Sequence, residues 1–343
     1  MNTRVLITGG AGFIGSHLAD ALISRGYRVT VLDDLSTGSR ENLADAQSTG
    51  RLRLIEGSVL DPSALGEATE DCARVFHLAV QCVRRSLGRP IENHAVNATG
   101  TILTLEAARR AGVQRFIYCS SSEVYGNAGS GMLSEDTTQC APSTVYGAAK
   151  LAGEYYSKAY QQAYGLPALV VRPFNAYGPR EHTQGELAEV IPRFIIRLLN
   201  EKPPIIFGNG EAGRDFTYVT EVAAGLAAAG DCDALIGATV NIAFGRIVTV
   251  RRVAELLARM VGRPNLRPEF LEPRPGDVMS LHADVRRAQE LLRFSAKIDI
   301  ETGLARYLEW FRGHHPNFVD LLEDNPRNWC LPESTSARTS DFL

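Results

Sequence analysis

The chain has 343 residues, enough to bury a sizeable core and to form two lobes. Its 36 Lys and Arg nearly balance 39 Asp and Glu, and no five like charges run together, which argues against nucleic acid or an anionic membrane as partner. Nowhere do 18 apolar residues follow one another, so no membrane span is expected. The first residues enter a strand without a basic-then-apolar leader, and the six cysteines show no C-x-x-C spacing. Reduced thiols and a cytoplasmic setting are the expectation.

Apolar residues 4–8 form the first predicted strand, which runs into Gly9, Gly12 and Gly15, spaced G-x-x-G-x-x-G, with a helix over 14–25. Such glycines make a tight turn, let the backbone approach a pyrophosphate, and allow close contact between helix and strand. The N–H groups around Phe13 and Ile14 then face the phosphates. A second strand, 27–32, leads to Asp33, where a carboxylate accepts from ribose hydroxyls and repels a 2′-phosphate. NAD is therefore the expected cofactor.

Further strands are predicted at 52–56, 73–79, 115–120 and 168–172, alternating with helices near 62–68, 99–111 and 144–163. That alternation predicts an α/β chain with a doubly wound parallel sheet of the Rossmann type. The strand over 115–120 ends in Ser120-Ser121-Ser122-Glu123, at the edge where open parallel sheets build their sites. The next helix carries Tyr146 and Lys150 as Y-x-x-x-K, one turn apart on one face. A free tyrosine titrates near 10, but a neighbouring ammonium and an oxidised nicotinamide favour its phenolate. Tyr146 is thus expected to take the proton of a substrate hydroxyl whose oxygen Ser121 holds, while the substrate carbon gives a hydride to NAD.

After Phe174 the texture changes to polar loops, Pro203-Pro204 and short elements. The expected division is an NAD-binding domain over 1–174 and a smaller C-terminal α/β substrate-binding lobe over 175–330, interleaved with the first. A Ser-, Thr- and Arg-containing tail, 331–343, is expected to be disordered. His77, Trp310 and Trp329 are expected to serve packing. No cluster has metal-ligand spacing, so no metal is predicted.

From residue 4 to about 312 the chain resembles an extended short-chain dehydrogenase/reductase of the nucleotide-sugar epimerase/dehydratase family. The motifs are TGGAGFIG, LDDLSTG, HLAV (77–80), NATGT (97–101), SSSEVYG (120–126), YGAAK, RPFNAYGPR (172–180), GRDFTYV (213–219) and RPGD (274–277). The resemblance implies that Leu78, Ala79, Asn97 and the pair Ser58-Val59 line the cofactor, Ser58 replacing a more usual Asp. It implies a nucleoside diphosphate sugar as partner, with UDP the commonest nucleotide. Asn175 would reach phosphate or sugar, Arg214 and Arg274 would clamp the diphosphate, and 204–207 would run along the nucleobase. Arginine suits that clamp because its guanidinium bonds phosphate through two charge-assisted contacts. Homodimerisation through the helices at 99–111 and 144–163 is also implied.

Three reactions are open to such a chain. The loop from Gln81 to Ser86 is similar to one in 4-epimerases, with Arg84 or Arg85 open to a sugar carboxylate, a phosphate or simply solvent. Glu123 is similar to the C5 base of 4,6-dehydratases, although their usual acidic partner is here Ser122. Uronate decarboxylases carry an arginine where an ungapped alignment puts Glu189, an anion opposed to a substrate carboxylate. Epimerisation is the favoured expectation, elimination the second, decarboxylation the third. A cofactor-binding sensor without turnover is disfavoured because Tyr146, Lys150 and Ser121 are all present. A reductase of free carbonyl compounds is disfavoured by Asn175, Arg214 and Arg274.

Overall fold

A computed structural model describes residues 3–331 apart from residue 130. Seven parallel strands form its central sheet: β1 (Arg4–Thr8), β2 (Arg28–Asp33), β3 (Leu52–Glu56), β4 (Cys72–His77), β5 (Arg115–Cys119), β6 (Ala168–Pro173) and β7 (Thr239–Ile242). Their spatial order is β7-β6-β5-β4-β1-β2-β3. β5 and β6 are buried along their whole length, which is why they read as unbroken apolar runs rather than alternating ones. Strand order reverses between β1 and β4, and a crevice opens there at the carboxyl ends of the strands.

Helices cover both faces. Phe13–Ser24 and Val219–Asp231 pack on one side, where Leu18, Leu22, Val222 and Leu226 meet Val5, Ile7 and Ile117. Pro62–Thr69, Gly100–Arg110 and Val145–Tyr164 pack on the other through Leu65, Leu105 and Tyr156. The helix Val145–Tyr164 has a defined start and stop. Thr144 Oγ1 accepts the Gly147 N–H at 3.1 Å, and Gly165 ends the helix at φ +70°. Its register is therefore fixed, and with it the positions of Tyr146 and Lys150.

A second core gathers the helices Val190–Leu199, Val250–Met260 and Ile300–His314 around Phe194, Ile195, Leu257, Leu304 and Phe311. It stands over the crevice. The helix Val219–Asp231 and strand β7 both belong to the central sheet's layers, β7 pairing with β6 from Thr239↔Val170 to Ile242↔Pro173. The sequence hid β7 because Thr-Val-Asn-Ile is short and half polar. Asn241 is tolerated inside because Tyr125 donates to its Oδ1 at 2.9 Å and its Nδ2 donates to Leu133 O at 2.9 Å. Of the tail 331–343, only Leu331 lies within the described residues.

Candidate active site

One cavity, with a mouth open to solvent, occupies the crevice between the lobes. Its floor is the glycine loop. Gly9 adopts φ +70°, and a Cβ there would lie 2.7 Å from the Ala79 backbone. A Cβ on Gly15 would stand 2.2 Å from Gly9 O, so this helix could not approach the strand with any larger residue. Gly12 caps the helix without a side chain, which leaves its first-turn N–H groups turned to the cavity that Gly12, Phe13, Ile14 and Gly15 line. At the far end of the loop Asp33 Oδ2 accepts from Ala11 N–H at 2.8 Å, and Oδ1 accepts from Leu35 N–H at 2.9 Å. The Asp33 carboxylate thus braces the loop, with lone pairs left for a ribose. Burial pushes its pKa up, and the two N–H bonds oppose that rise.

Ser121, Ser122, Glu123, Tyr146 and Lys150 meet on the opposite wall. Ser121 begins a short turn, its Oγ accepting from Glu123 N–H at 3.2 Å, and its hydroxyl also reaches the Tyr146 phenol. Burial pushes the phenol's pKa up, and the Ser121 bond opposes it. Lys150 Nζ donates to Cys119 O at 2.8 Å, and burial lowers its pKa to about 8. In the protein alone the ammonium is held by the end of β5, 5.2 Å from the centre of the Tyr118 ring, and it is not among the groups that shift the Tyr146 phenol. That fits a site completed by a cationic ring, the other half of the expectation. The Glu123 carboxylate makes no hydrogen bond among the described residues, and burial raises its pKa.

Asn175 Oδ1 is buried, lines the cavity and lacks a hydrogen-bond partner among the described residues, so the site itself leaves an acceptor for a ligand. Val59, Leu78 and Ala79 also line the wall. Four expected residues lie outside that lining. Ser58 accepts the Leu60 N–H at 3.2 Å. Asn97 holds Gln81, accepting its N–H and donating to its carbonyl, both at 2.9 Å. Arg214 and Arg274 converge on Asp277 Oδ1, at 2.9 and 2.8 Å. That shared carboxylate sets the two guanidinium groups side by side while tempering their charge. Arg84 does line the cavity, and it is paired there with Glu189.

A sequence profile of the NAD dependent epimerase/dehydratase family matches residues 5–243. This chain belongs to that family. Its cofactor is NAD, and the uncapped helix start, the glycine cradle and Asp33 all fit it. The UDP-glucose 4-epimerase of Mycolicibacterium smegmatis is 38% identical over 312 residues, 90% of this chain and 98% of that protein. The crystal structure of a dTDP-glucose 4,6-dehydratase from Streptomyces venezuelae with NAD bound is similar at a TM-score of 0.87 and 29% identity, over 93% of this chain and 100% of that one. The UDP-glucuronic acid 4-epimerase of Bacillus cereus, solved with UDP-glucuronic acid and NAD, has a TM-score of 0.84 and 31% identity, over 91% and 100%. The family member described here thus has both epimerases and dehydratases among its relatives, as the sequence motifs imply.

Behind the reacting wall lies a buried ion pair that the motifs did not single out. Arg172 donates to Glu154 through Nε at 2.8 Å and Nη2 at 2.6 Å, and Ser120 Oγ donates to Glu154 at 2.6 Å. Glu154 stands four residues after Lys150, so a carboxylate on the buried face of that helix was the available signal.

Proposed function

We propose that this protein is a UDP-hexose (or UDP-hexuronate) 4-epimerase. The observation that carries the reading is the meeting of Ser121, Tyr146 and Lys150 with the NAD-type glycine loop across one cavity, whose unpartnered Asn175 carbonyl awaits a donor. Ser121 holds the C4 oxygen of the sugar. Tyr146, as phenolate, takes the C4 hydroxyl proton, and Lys150 keeps a positive charge under it. Bound NAD supplies a hydride acceptor for C4 and later returns the hydride to the sugar. The 4-keto sugar turns in the cavity and presents its other face. Tyr146 then gives the proton back to the C4 oxygen, now inverted, so no atom is gained or lost. The near-full-length likeness to a UDP-glucose 4-epimerase supports this assignment.

A second reading rests on Glu123. Its uncommitted carboxylate faces the cavity, where it could remove the proton at C5 once C4 is a ketone, giving elimination of water. Ser122, a neutral hydroxyl beside it, is a poor acid for the departing oxygen, and this keeps epimerisation first. Incubation with UDP-glucose in deuterated water separates them. Epimerisation gives a product of unchanged mass without deuterium; a product that has lost water and carries solvent deuterium at C5 establishes elimination instead.

The setting and assembly follow the same reading. No described helix is long and apolar enough to cross a membrane, and all six cysteines are unpaired, which supports the cytoplasm. Exposed Ile102, Tyr155 and Tyr164 on the helices Gly100–Arg110 and Val145–Tyr164 support a homodimer through those helices.

A further inference from the structure

Residues 317–331 lie past the point, about residue 312, where the resemblance to the family ends, and the rest of the fold grips them at several places. The helix Ile300–His314 leads into a short turn, Phe318–Leu321, where Phe318, Leu321 and Leu322 pack against the second core. From there the chain runs back along the outside of the cavity wall. Gly185 N–H donates to Glu323 Oε1 at 2.6 Å, Arg193 donates to Pro326 O, and Asn328 Nδ2 donates to Ala188 O at 2.7 Å. Trp329 meets Phe207 edge to face, with ring centroids 4.5 Å apart. One residue on, Cys330 reaches the helix Val83–Gly88, where a Cβ on Gly88 would lie 3.1 Å from Cys330 O.

Those anchor points bracket one seam of the cavity. Cys82, Val83 and Arg84 line it on one side, Leu187 and Glu189 on the other. Within the cavity, Arg84 closes the seam by donating to Glu186 O and Leu187 O, both at 2.7 Å. Residues 323–330 cross the same seam from behind, holding 185–188 on one side and touching Gly88 on the other. Among the described residues, none from 318 to 331 lines the cavity, so this segment acts on a ligand only through the wall. Neither wall piece is stiff by itself. Gly185–Leu187 is a single turn of three residues and Val83–Gly88 a helix of six, too short to hold their shape without tertiary ties.

We infer that residues 318–330 form a strap that holds the two sides of this seam together, and that the cavity's grip on its nucleotide sugar depends on it. The inference rests on the nucleotide-sugar reading above and adds a positioning element to it. In that reaction the 4-keto sugar turns without leaving, so the wall has to stay closed while it turns. With the strap weakened, a smaller fraction of molecules holds the wall in its binding-competent place, and apparent affinity falls in proportion. Ser121, Tyr146 and Lys150 make no contact with the strap, so the chemical step keeps its rate.

The test uses the full chain as wild type, as Glu323→Ala and Glu323→Gln, and as the double variant Asn328→Ala/Trp329→Ala. Turnover of UDP-glucose gives kcat and KM; titration of UDP-glucose in a Tyr146→Phe background gives a dissociation constant without turnover. The double variant is expected to raise KM and the dissociation constant about tenfold, with kcat within about twofold and NAD content unchanged. Glu323→Ala is expected to raise both about threefold, and Glu323→Gln to restore them, because its amide oxygen still accepts the Gly185 N–H. An unchanged KM and dissociation constant in the folded double variant would overturn the inference and leave the epimerase reading standing. So would a fall in kcat and melting temperature with KM unchanged, the mark of a merely structural tail. If the double variant does not fold, the two Glu323 variants decide by the same readings. If no form binds or turns over UDP-glucose, the epimerase reading fails, and amide hydrogen exchange over 183–190 judges the strap. Faster exchange there in Glu323→Ala than in wild type upholds it, and equal exchange rejects it.

Discussion

Tyr146 and Lys150 are one turn apart on a helix, yet burial shifts them in opposite directions. The phenol is harder to ionise than a free tyrosine, and the ammonium easier to neutralise than a free lysine. Tyr146→Phe is expected to lower kcat by about 10²–10⁴ while NAD content stays unchanged, because only the proton-transfer group is removed. Lys150 titrates near 8 in the fold against 10.5 for an ordinary lysine, so between those values the folded chain holds fewer protons than the unfolded one. Stability therefore rises with pH across that window, and below it the buried charge costs about 3 kcal/mol. Lys150→Met is expected to melt higher than wild type at pH 7 in NAD-free protein, the gap closing towards pH 10.5. A gap of constant size across that range would place the effect elsewhere. That Ser121, Tyr146 and Lys150 would share one wall was legible in local spacing, whereas the role expected of Glu123 came from the family resemblance. Asn175 was legible only by family likeness, since its unpartnered carbonyl depends on which distant groups fail to reach it. Nor could spacing show that Arg84 is already taken, because its partner is 105 residues away.

Among the elements, the strands of the first half were readable almost to the residue, because a doubly covered parallel strand leaves an apolar run between turn signals. β7 was not readable, since its Asn241 side chain is satisfied only by distant partners, Tyr125, Leu133 and Asp284. The Glu154–Arg172 pair ties the helix Val145–Tyr164 to β6 and, through Ser120, to the end of β5 beside the reacting wall. Both side chains are 3% exposed or less. Arg172→Leu or Glu154→Leu alone is expected to cost about 3–5 kcal/mol, since each leaves a buried charge unpaired. The double variant should recover much of that loss, as read by denaturant midpoints of the four proteins. Additive losses would mean that the two residues act separately.

At the scale of the molecule, the lobes are stitched together around the cavity. His17 bonds Pro179 O at 2.9 Å, Arg180 bonds Asp20 at 2.7 Å, and His182 bonds Thr37 O at 2.9 Å. Each tie joins the layer of the glycine loop to the segment 176–189, so the cavity walls on the two sides are kept in register. Their separation in sequence explains why the family could be read from motifs while the character of the cavity could not. A dimer through the helices Gly100–Arg110 and Val145–Tyr164 would further stiffen the wall bearing Tyr146. Sedimentation is expected to give twice the chain mass for wild type and the single mass for Tyr155→Glu, which puts a charge on that exposed face.

In the proposed reaction C4 is oxidised and reduced again without the hydride leaving the site. The most direct measurement uses UDP-glucose labelled with deuterium at C4, followed by NMR of the recovered nucleotide sugars. Full retention of the label at C4 in the inverted product is the expected result. Label lost to solvent, or moved to another carbon of a product lighter by water, would contradict it.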